Sequence, residues 1–235
     1  GALRVGSGRT RRAAERNADH HPERAFLAAA LVQPAQAHAG IRPALGAGAQ
    51  GRTVQPFGLA LGGSGIVIAH HAGAGRRFHG LDVFGMIPPP SEKDDARSQA
   101  RYEEIAAGRS KGIDGGIYYG YVPNLYDVVC ASFARHGVPV DGVHVVLHKG
   151  LFSETLPKLP DLTIAFAHVD CDWYEPVAQC LAYLADRLAP GGAIMLDDFH
   201  TYGGSRSATL AFLAARRDYV LEDGENVILW RRPPA

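Results

Sequence analysis

Three cysteines in 235 residues (Cys130, Cys171, Cys180), an odd number without paired spacing, supply neither a disulfide framework nor a zinc motif and suit a reducing compartment. Apolar runs fall well short of the roughly 18 residues that a membrane span needs. Residues 1–30 lack the apolar stretch and cleavage site of a secretory leader. There is no excess of charge either, since Lys plus Arg and Asp plus Glu each number 24. A nucleic-acid scaffold and an acidic tail protein are thereby excluded, and 46% hydrophobic residues exclude wholesale disorder. The expectation is a cytoplasmic globular protein of one α/β domain with an appended segment.

The zero charge is a sum of unlike parts. Residues 1–57 hold eight Arg, no Lys and three acids, a formal +5, whereas the remainder carries 16 basic and 21 acidic residues, −5. Residues 1–56 are rich in Ala, Gly and Arg, with one helix-compatible stretch at Glu23–Val32 and no strand-like alternation. They read as an atypical N-terminal segment, helical or poorly ordered, ahead of a domain over 57–235. From Phe57 onward, short apolar runs alternate with helix-like stretches. The expected pattern is Phe57–Leu61 then Ser64–His71, Phe78–Phe84, Val143–Leu147, Leu162–Val169 then Val177–Leu188, and Ala193–Leu196 then Ser205–Arg216. Tyr219–Glu222 and Asn226–Trp230, joined at Asp223-Gly224, read as a hairpin. Strand-helix alternation with continuously apolar strands predicts a doubly wound, mostly parallel sheet with a C-terminal antiparallel hairpin. The polar stretch at about 88–121 fits neither strand nor core helix and reads as a lid-like insertion.

In such sheets ligands bind beyond the carboxyl ends of the strands. After the first strand comes Gly58-Leu59-Ala60-Leu61-Gly62-Gly63-Ser64-Gly65, glycines that let the backbone approach a ligand, with Ser64 placed to cap the helix. A literal GxGxxG at Gly46–Gly51 follows no strand and is set aside. Asp82, 24 residues after Gly58, ends the second strand, where an acid can accept hydrogen bonds from both ribose hydroxyls of a nucleotide-like cofactor or cap its own loop. Two consecutive strands end in acids, at Asp170-Cys171-Asp172 and Asp197-Asp198. If these strands are neighbours, about 4.8 Å apart, Asp170, Asp197 and Asp198 converge, and such a group needs a cation. Oxygen-only donors suit a hard ion such as Mg²⁺. His144 and His148 have a helical metal spacing but lie in a strand-like run, where they would stand about 13 Å apart and serve structure. His200 is the histidine placed to act as a base. The tyrosines at 118, 119, 121 and 126 read as packing rather than recognition.

The run His168-Val169-Asp170-Cys171-Asp172-Trp173-Tyr174-Glu175, then Leu188-Ala189-Pro190-Gly191-Gly192-Ala193-Ile194, Asp197-Asp198-Phe199 and Tyr202-Gly203-Gly204 resembles the macrocin O-methyltransferase (TylF/MycF) family. Leu81–Pro88 and Gly150–Pro157 are similar to it too, and the likeness covers about residues 58–231. The resemblance implies a seven-stranded Rossmann-like class I methyltransferase. It would move a methyl group from S-adenosylmethionine, with Mg²⁺, to a sugar hydroxyl of a bacterial natural product. It further implies Asp170, Asp197 and Asp198 as metal ligands and Asp82 at the cofactor ribose. Gly58, Gly62, Gly63 and Ser64 would lie along the methionine part, and the run from Gly150 through Phe152 near the adenine. Asp170 is the first choice for base and His200 the second. Partners would be a glycosylated or hydroxylated small molecule and further copies of the chain, as a homodimer or larger, with no nucleic acid and no membrane. Residues 1–57 do not resemble the helical cover expected there, and Val54-Gln55-Pro56-Phe57 lacks the acid expected before the first glycine turn. Two other readings stand beside this one: a nicotinamide-dependent oxidoreductase using the same turn and Asp82, and a catalytically impaired S-adenosylmethionine-binding protein.

Overall fold

A computed structural model describes Ile41, Leu45 and residues 51–234 apart from Ile113, Asp114 and Glu225. Its elements run β1 (Thr53–Phe57), α1 (Gly63–Ala72), β2 (Arg77–Asp82), α2 (Ala96–Ala106), α3 (Leu125–Arg135), β3 (Val145–Lys149), the short α4 (Phe152–Thr155), β4 (Ile164–Val169), α5 (Tyr174–Arg187), β5 (Leu188–Leu196), α6 (Gly203–Ala215), β6 (Tyr219–Glu222) and β7 (Val227–Arg231). The seven strands form one sheet in the order β3-β2-β1-β4-β5-β7-β6. β1 to β5 are parallel, and β7 pairs antiparallel with both β5 and β6. The direction of strand addition reverses between β1 and β4, which opens a crevice at their carboxyl ends.

Burial explains the layers. All six residues of β4 are buried, as expected of a central strand covered on both faces. α5 buries Val177, Cys180, Leu181, Leu184 and Ala185, the i, i+3, i+4, i+7, i+8 stripe of a helix lying on a sheet. Pro176 falls in its first turn, where no intrahelical N–H is needed. One core lies between α5, α6 and the sheet, around Phe57, Leu81, Leu181 and Leu196. A second lies on the other face, around Val54, Phe78, Phe133 and Phe166.

Several boundaries differ from the sequence expectation. β1 spans Thr53–Phe57 rather than Phe57–Leu61, so the sheet begins inside the segment set apart as 1–56. Gln55 and Pro56 hid it, because neither is common in a central strand, yet all five residues are buried. Ile41 is also fully buried, in the second core. The stretch Glu23–Val32 lies outside the described residues. The insertion contains a regular helix, α2, whose buried residues are only Ser98 and Ile105. β5 reaches back to Leu188 through Pro190-Gly191-Gly192. β3 begins at Val145, so His144 precedes it and His148 lies within it.

Candidate active site

A cavity of about 550 Å³ opens at the crevice. Its wall is built from the segment just beyond each parallel strand: Gly58–Leu61 after β1, Asp82 and Val83 at the end of β2, Gly150–Ser153 after β3, Asp170–Trp173 after β4 and Asp197 after β5. The insertion closes the remaining side with Arg101, Ile105, Lys111, Ile117, Tyr118 and Tyr119.

Asp82 clasps the turn after β1. Its Oδ2 accepts from the backbone N–H of Leu59 (2.6 Å) and Ala60 (3.0 Å), and its Oδ1 from Phe84 (2.5 Å). A carboxylate offers about four acceptor positions, so roughly one remains for a ligand in the cavity. Burial raises its pKa, and the three backbone donors act against that rise. Gly58 sits at φ +81°, and a Cβ there would collide with the Asp170 carbonyl oxygen. The β1 and β4 ends can therefore lie side by side only with glycine at this position. α1 is capped at Gly62, not at Ser64. Gly62 stands behind the wall against Phe133 and Val129, whereas Gly63 and Ser64 line the cavity.

Asp170, Asp197 and Asp198 come together as the neighbouring strands predict. β4 and β5 pair directly, and one oxygen from each carboxylate lies within 4.8 Å of the others. Asp170 and Asp197 face the cavity, and Asp198 is buried behind them. Burial, and then the other carboxylates, raise the pKa of Asp170 well above the usual carboxylate range, Asp198 being its largest charged neighbour. Asp198 shifts the same way, first by burial and then by Asp172 and Asp197. The set fits a hard divalent ion: all donors are oxygen, their charge is uncompensated, and Mg²⁺ at 2.0–2.1 Å holds oxygens roughly 3–4 Å apart.

Asp172 is a further carboxylate on the wall, one that the sequence pattern did not single out as a candidate. It takes a left-handed backbone (φ +58°), and its N–H donates to Asp198 Oδ2 (3.1 Å). Burial pushes its pKa up to about 6, against the pull of Arg101. Adjacent Trp173 is buried and donates from Nε1 to the Pro88 carbonyl (2.9 Å).

Two consecutive aspartates fasten the insertion over the site. Asp94 Oδ1 accepts from Tyr174 N–H (2.7 Å), the first residue of α5, and Asp94 Oδ2 from Ser91 N–H (2.8 Å). Asp95 Oδ1 caps α2 through Ser98 N–H (2.8 Å), while Oδ2 accepts from Gly203 N–H (2.9 Å), the first residue of α6. A Cβ on Gly204 would collide with Asp94 Oδ1, which accounts for a glycine there. Helix N-termini present free N–H groups and positive potential, so carboxylates are suited to both junctions. Lys93 pairs with Glu175 (2.8 Å) beside them. Only the spacing of Asp94-Asp95 to a following Ser98 signalled any of this in the sequence.

Other expectations fare differently. His200 does not line the cavity; its Nε2 is 3.0 Å from Asp223 on the surface. Phe199, in the turn beyond β5, is buried, whereas His200 is exposed. His148 meets not His144 but His79 (3.0 Å, rings stacked), and His144 contacts Asp141. The tyrosines divide. Tyr118 and Tyr119 line the cavity, Tyr121 donates to the Ile105 carbonyl, and Tyr126 packs on Phe84.

The strand order, the antiparallel C-terminal pair and a ligand-sized crevice at the β1/β4 switch define a Rossmann-like methyltransferase fold. Among solved structures it is similar to the O-methyltransferase NovP, with a TM-score of 0.66 at 19% identity over 86% of this chain and 80% of that one. Calicheamicin methyltransferase CalS11 matches with a TM-score of 0.60 at 21% identity, covering 97% and 99%. Residues 36–227 match the macrocin O-methyltransferase (TylF) family, and the chain belongs to it. Among curated proteins it is 32% identical over 146 residues to 8-demethyl-8-(2,3-dimethoxy-α-L-rhamnosyl)-tetracenomycin-C 4'-O-methyltransferase of Streptomyces olivaceus, covering 60% of this chain and 51% of that protein. It is 27% identical over 113 residues to mycinamicin III 3''-O-methyltransferase of Micromonospora griseorubida, covering 47% and 43%. The matched part thus spans about half the length of these relatives.

Proposed function

We propose that the chain is a Mg²⁺-dependent O-methyltransferase that uses S-adenosylmethionine to methylate a sugar hydroxyl on a natural-product glycoside. The observation that carries this reading is a clasped glycine turn on the cavity wall beside a three-carboxylate cluster at adjacent strand ends, of which Asp170 and Asp197 face the cavity. Family membership leaves the nicotinamide alternative without support.

In this reading Gly58, Gly63, Ser64, Asp82, Gly150 and Phe152 hold the cofactor, with Gly62 supporting the turn from behind. Asp170, Asp197 and Asp198 would hold the ion. When bound, the ion supplies Lewis acidity that lowers the pKa of a coordinated hydroxyl, and S-adenosylmethionine supplies the electrophilic methyl group. The residues of the chain then align the acceptor oxygen, since displacement at a methyl carbon is governed by approach along one line. Asp170 and Asp172 are the candidates for holding the departing proton. Asp170 belongs to the ligand set, so Asp172, held apart on the wall by its left-handed turn, takes that role. His200 is too far out on the surface to share it. Tyr118, Tyr119, Ile117 and Arg101 face the acceptor side, a largely aromatic and apolar surface suited to stacking against a sugar and its aglycone.

The test is transfer of labelled methyl from S-adenosylmethionine to rhamnosylated tetracenomycin-type and mycinamicin-type acceptors. Activity should vanish in chelator, return with Mg²⁺, and fall by at least about 10²-fold in Asp197→Asn. Full activity in chelator contradicts the metal role, and transfer to none of the glycosides contradicts the acceptor class.

A further inference from the structure

β4 carries a histidine that the site as described leaves unused. His168 is 3% exposed, in the middle of the sheet, with Pro56 of β1 on one side and Met195 of β5 on the other. It lies two residues before Asp170, as Met195 lies two before Asp197, so side-chain alternation puts the imidazole one layer beneath the pair of carboxylates. Its Nε2 is 3.9 Å from Asp197 Oδ1. Its Nδ1 is buried and has no hydrogen-bond partner among the described residues. An imidazole in such a place is costly. Phe166 and Met195, beside it in the second core, show that the layer is otherwise apolar, and a phenyl ring would fill it without leaving a polar atom unpaired. With its proton on Nε2, opposite the carboxylate, the imidazole would leave Nδ1 as a bare acceptor.

We infer that His168 is a positioning residue for the proposed ion site, its Nε2–H closing onto Asp197 and turning the other carboxylate oxygen toward the ion. The inference rests on the metal reading above. Carboxylates that ligate metals need such outer partners to fix their orientation, and losing one costs about 10- to 100-fold in metal affinity. Shortening the 3.9 Å gap by about 1 Å makes an ordinary hydrogen bond. Of the two partners, Asp197 is the one with room to close the gap when an ion is bound, its side chain being 28% exposed and that of His168 4%.

The experiment is calorimetric titration of the full chain with MgCl₂, and separately MnCl₂, in wild type, His168→Phe, His168→Gln and His168→Asn. Unfolding midpoints in chelator are measured alongside. Gln places an N–H donor where Nε2 stands, and Asn withdraws it. The expected result is about 10- to 100-fold weaker ion binding in the Phe and Asn variants and near wild-type binding in Gln. The Phe variant should unfold in chelator at or above the wild-type temperature, because it removes the unpaired Nδ1. A purely structural histidine predicts the reverse, a lower midpoint with unchanged ion affinity, and that result overturns the inference. Equal losses in Gln and Asn overturn it too, and this comparison stands even if the Phe variant does not fold. No ion uptake by wild type overturns the metal reading, and His168 with it; uptake by wild type and all variants alike overturns only the role of His168.

Discussion

Asp82 does two things at once. Two of its accepted bonds tie the glycine turn to the end of β2 and a third holds the Phe84 N–H just beyond that strand; the turn in its tied form is the wall against which a cofactor would lie. Asp82→Ala should therefore lower stability even without ligand, by about 2–4 kcal/mol, because buried N–H groups lose a charged acceptor. Thermal or urea unfolding of the unliganded protein checks this. An unchanged midpoint would mean that the carboxylate serves only a ligand. The histidine pair at the β2/β3 edge gives a pH prediction. Burial, then the neighbouring His148 and Arg77, lower the pKa of His79 from 6.5 to about 4, and burial lowers that of His148 as well. Between about 4 and 6.5 the unfolded chain binds a proton that the folded chain refuses, so the pair's contribution is complete above 6.5 and is lost as the pH falls toward 4. His79→Leu should flatten the fall in unfolding midpoint between about pH 7 and pH 5 relative to wild type. An equally steep fall would place the sensitivity elsewhere. Of the site residues, those at strand ends were legible from sequence, because a short apolar run ending in an acid marks its own position. Asp172 and His168 were not, since one depends on a left-handed turn and the other on what β5 places beside it.

At the scale of elements, the start of the insertion is held by caps, with apolar burial left to Ile105 and Tyr118. α2 buries only Ser98 and Ile105, but its N-terminal aspartates reach the first N–H groups of α5 and α6, the helices that follow the two acid-bearing strands. The insertion is thereby tied to the same loops that carry the carboxylates. Asp95→Ala removes a cap on its own helix and the bond to Gly203, a loss of about 0.5–2 kcal/mol from the cap alone. In the methyl-transfer assay, Asp94→Ala and Asp95→Ala should each raise the acceptor KM with little change in S-adenosylmethionine affinity. Equal effects on both would show that these residues support the whole cavity. The same polarity explains why this helix is hidden in the sequence: its apolar positions are so few that the stretch reads as a polar loop rather than as a core helix. β1 is hidden for a related reason, because its Gln and Pro are read as interruptions when neighbouring strands are out of sight. By contrast, β4, β6 and α6 fall within a few residues of expectation, where apolar runs and a turn signal agree.

For the molecule as a whole, the doubly wound sheet followed from strand-helix alternation, but the strand order and hence the meeting of Asp170 with Asp197 required one further step. That step was the placement of β4 beside β5, a contact that parallel crossovers favour. The acidity of residues 58–235 is gathered in part at this seam, and among the described residues no lysine or arginine pairs with the three carboxylates. The proposed function gives this seam a cation. Its most direct test is calorimetric titration of the S-adenosylmethionine-bound protein with MgCl₂, in wild type and in Asp197→Asn. Wild type should take up one ion saturably and the variant should not, with cofactor affinity retained in both. Ion uptake unaffected by Asp197→Asn, or absent from wild type, would contradict it.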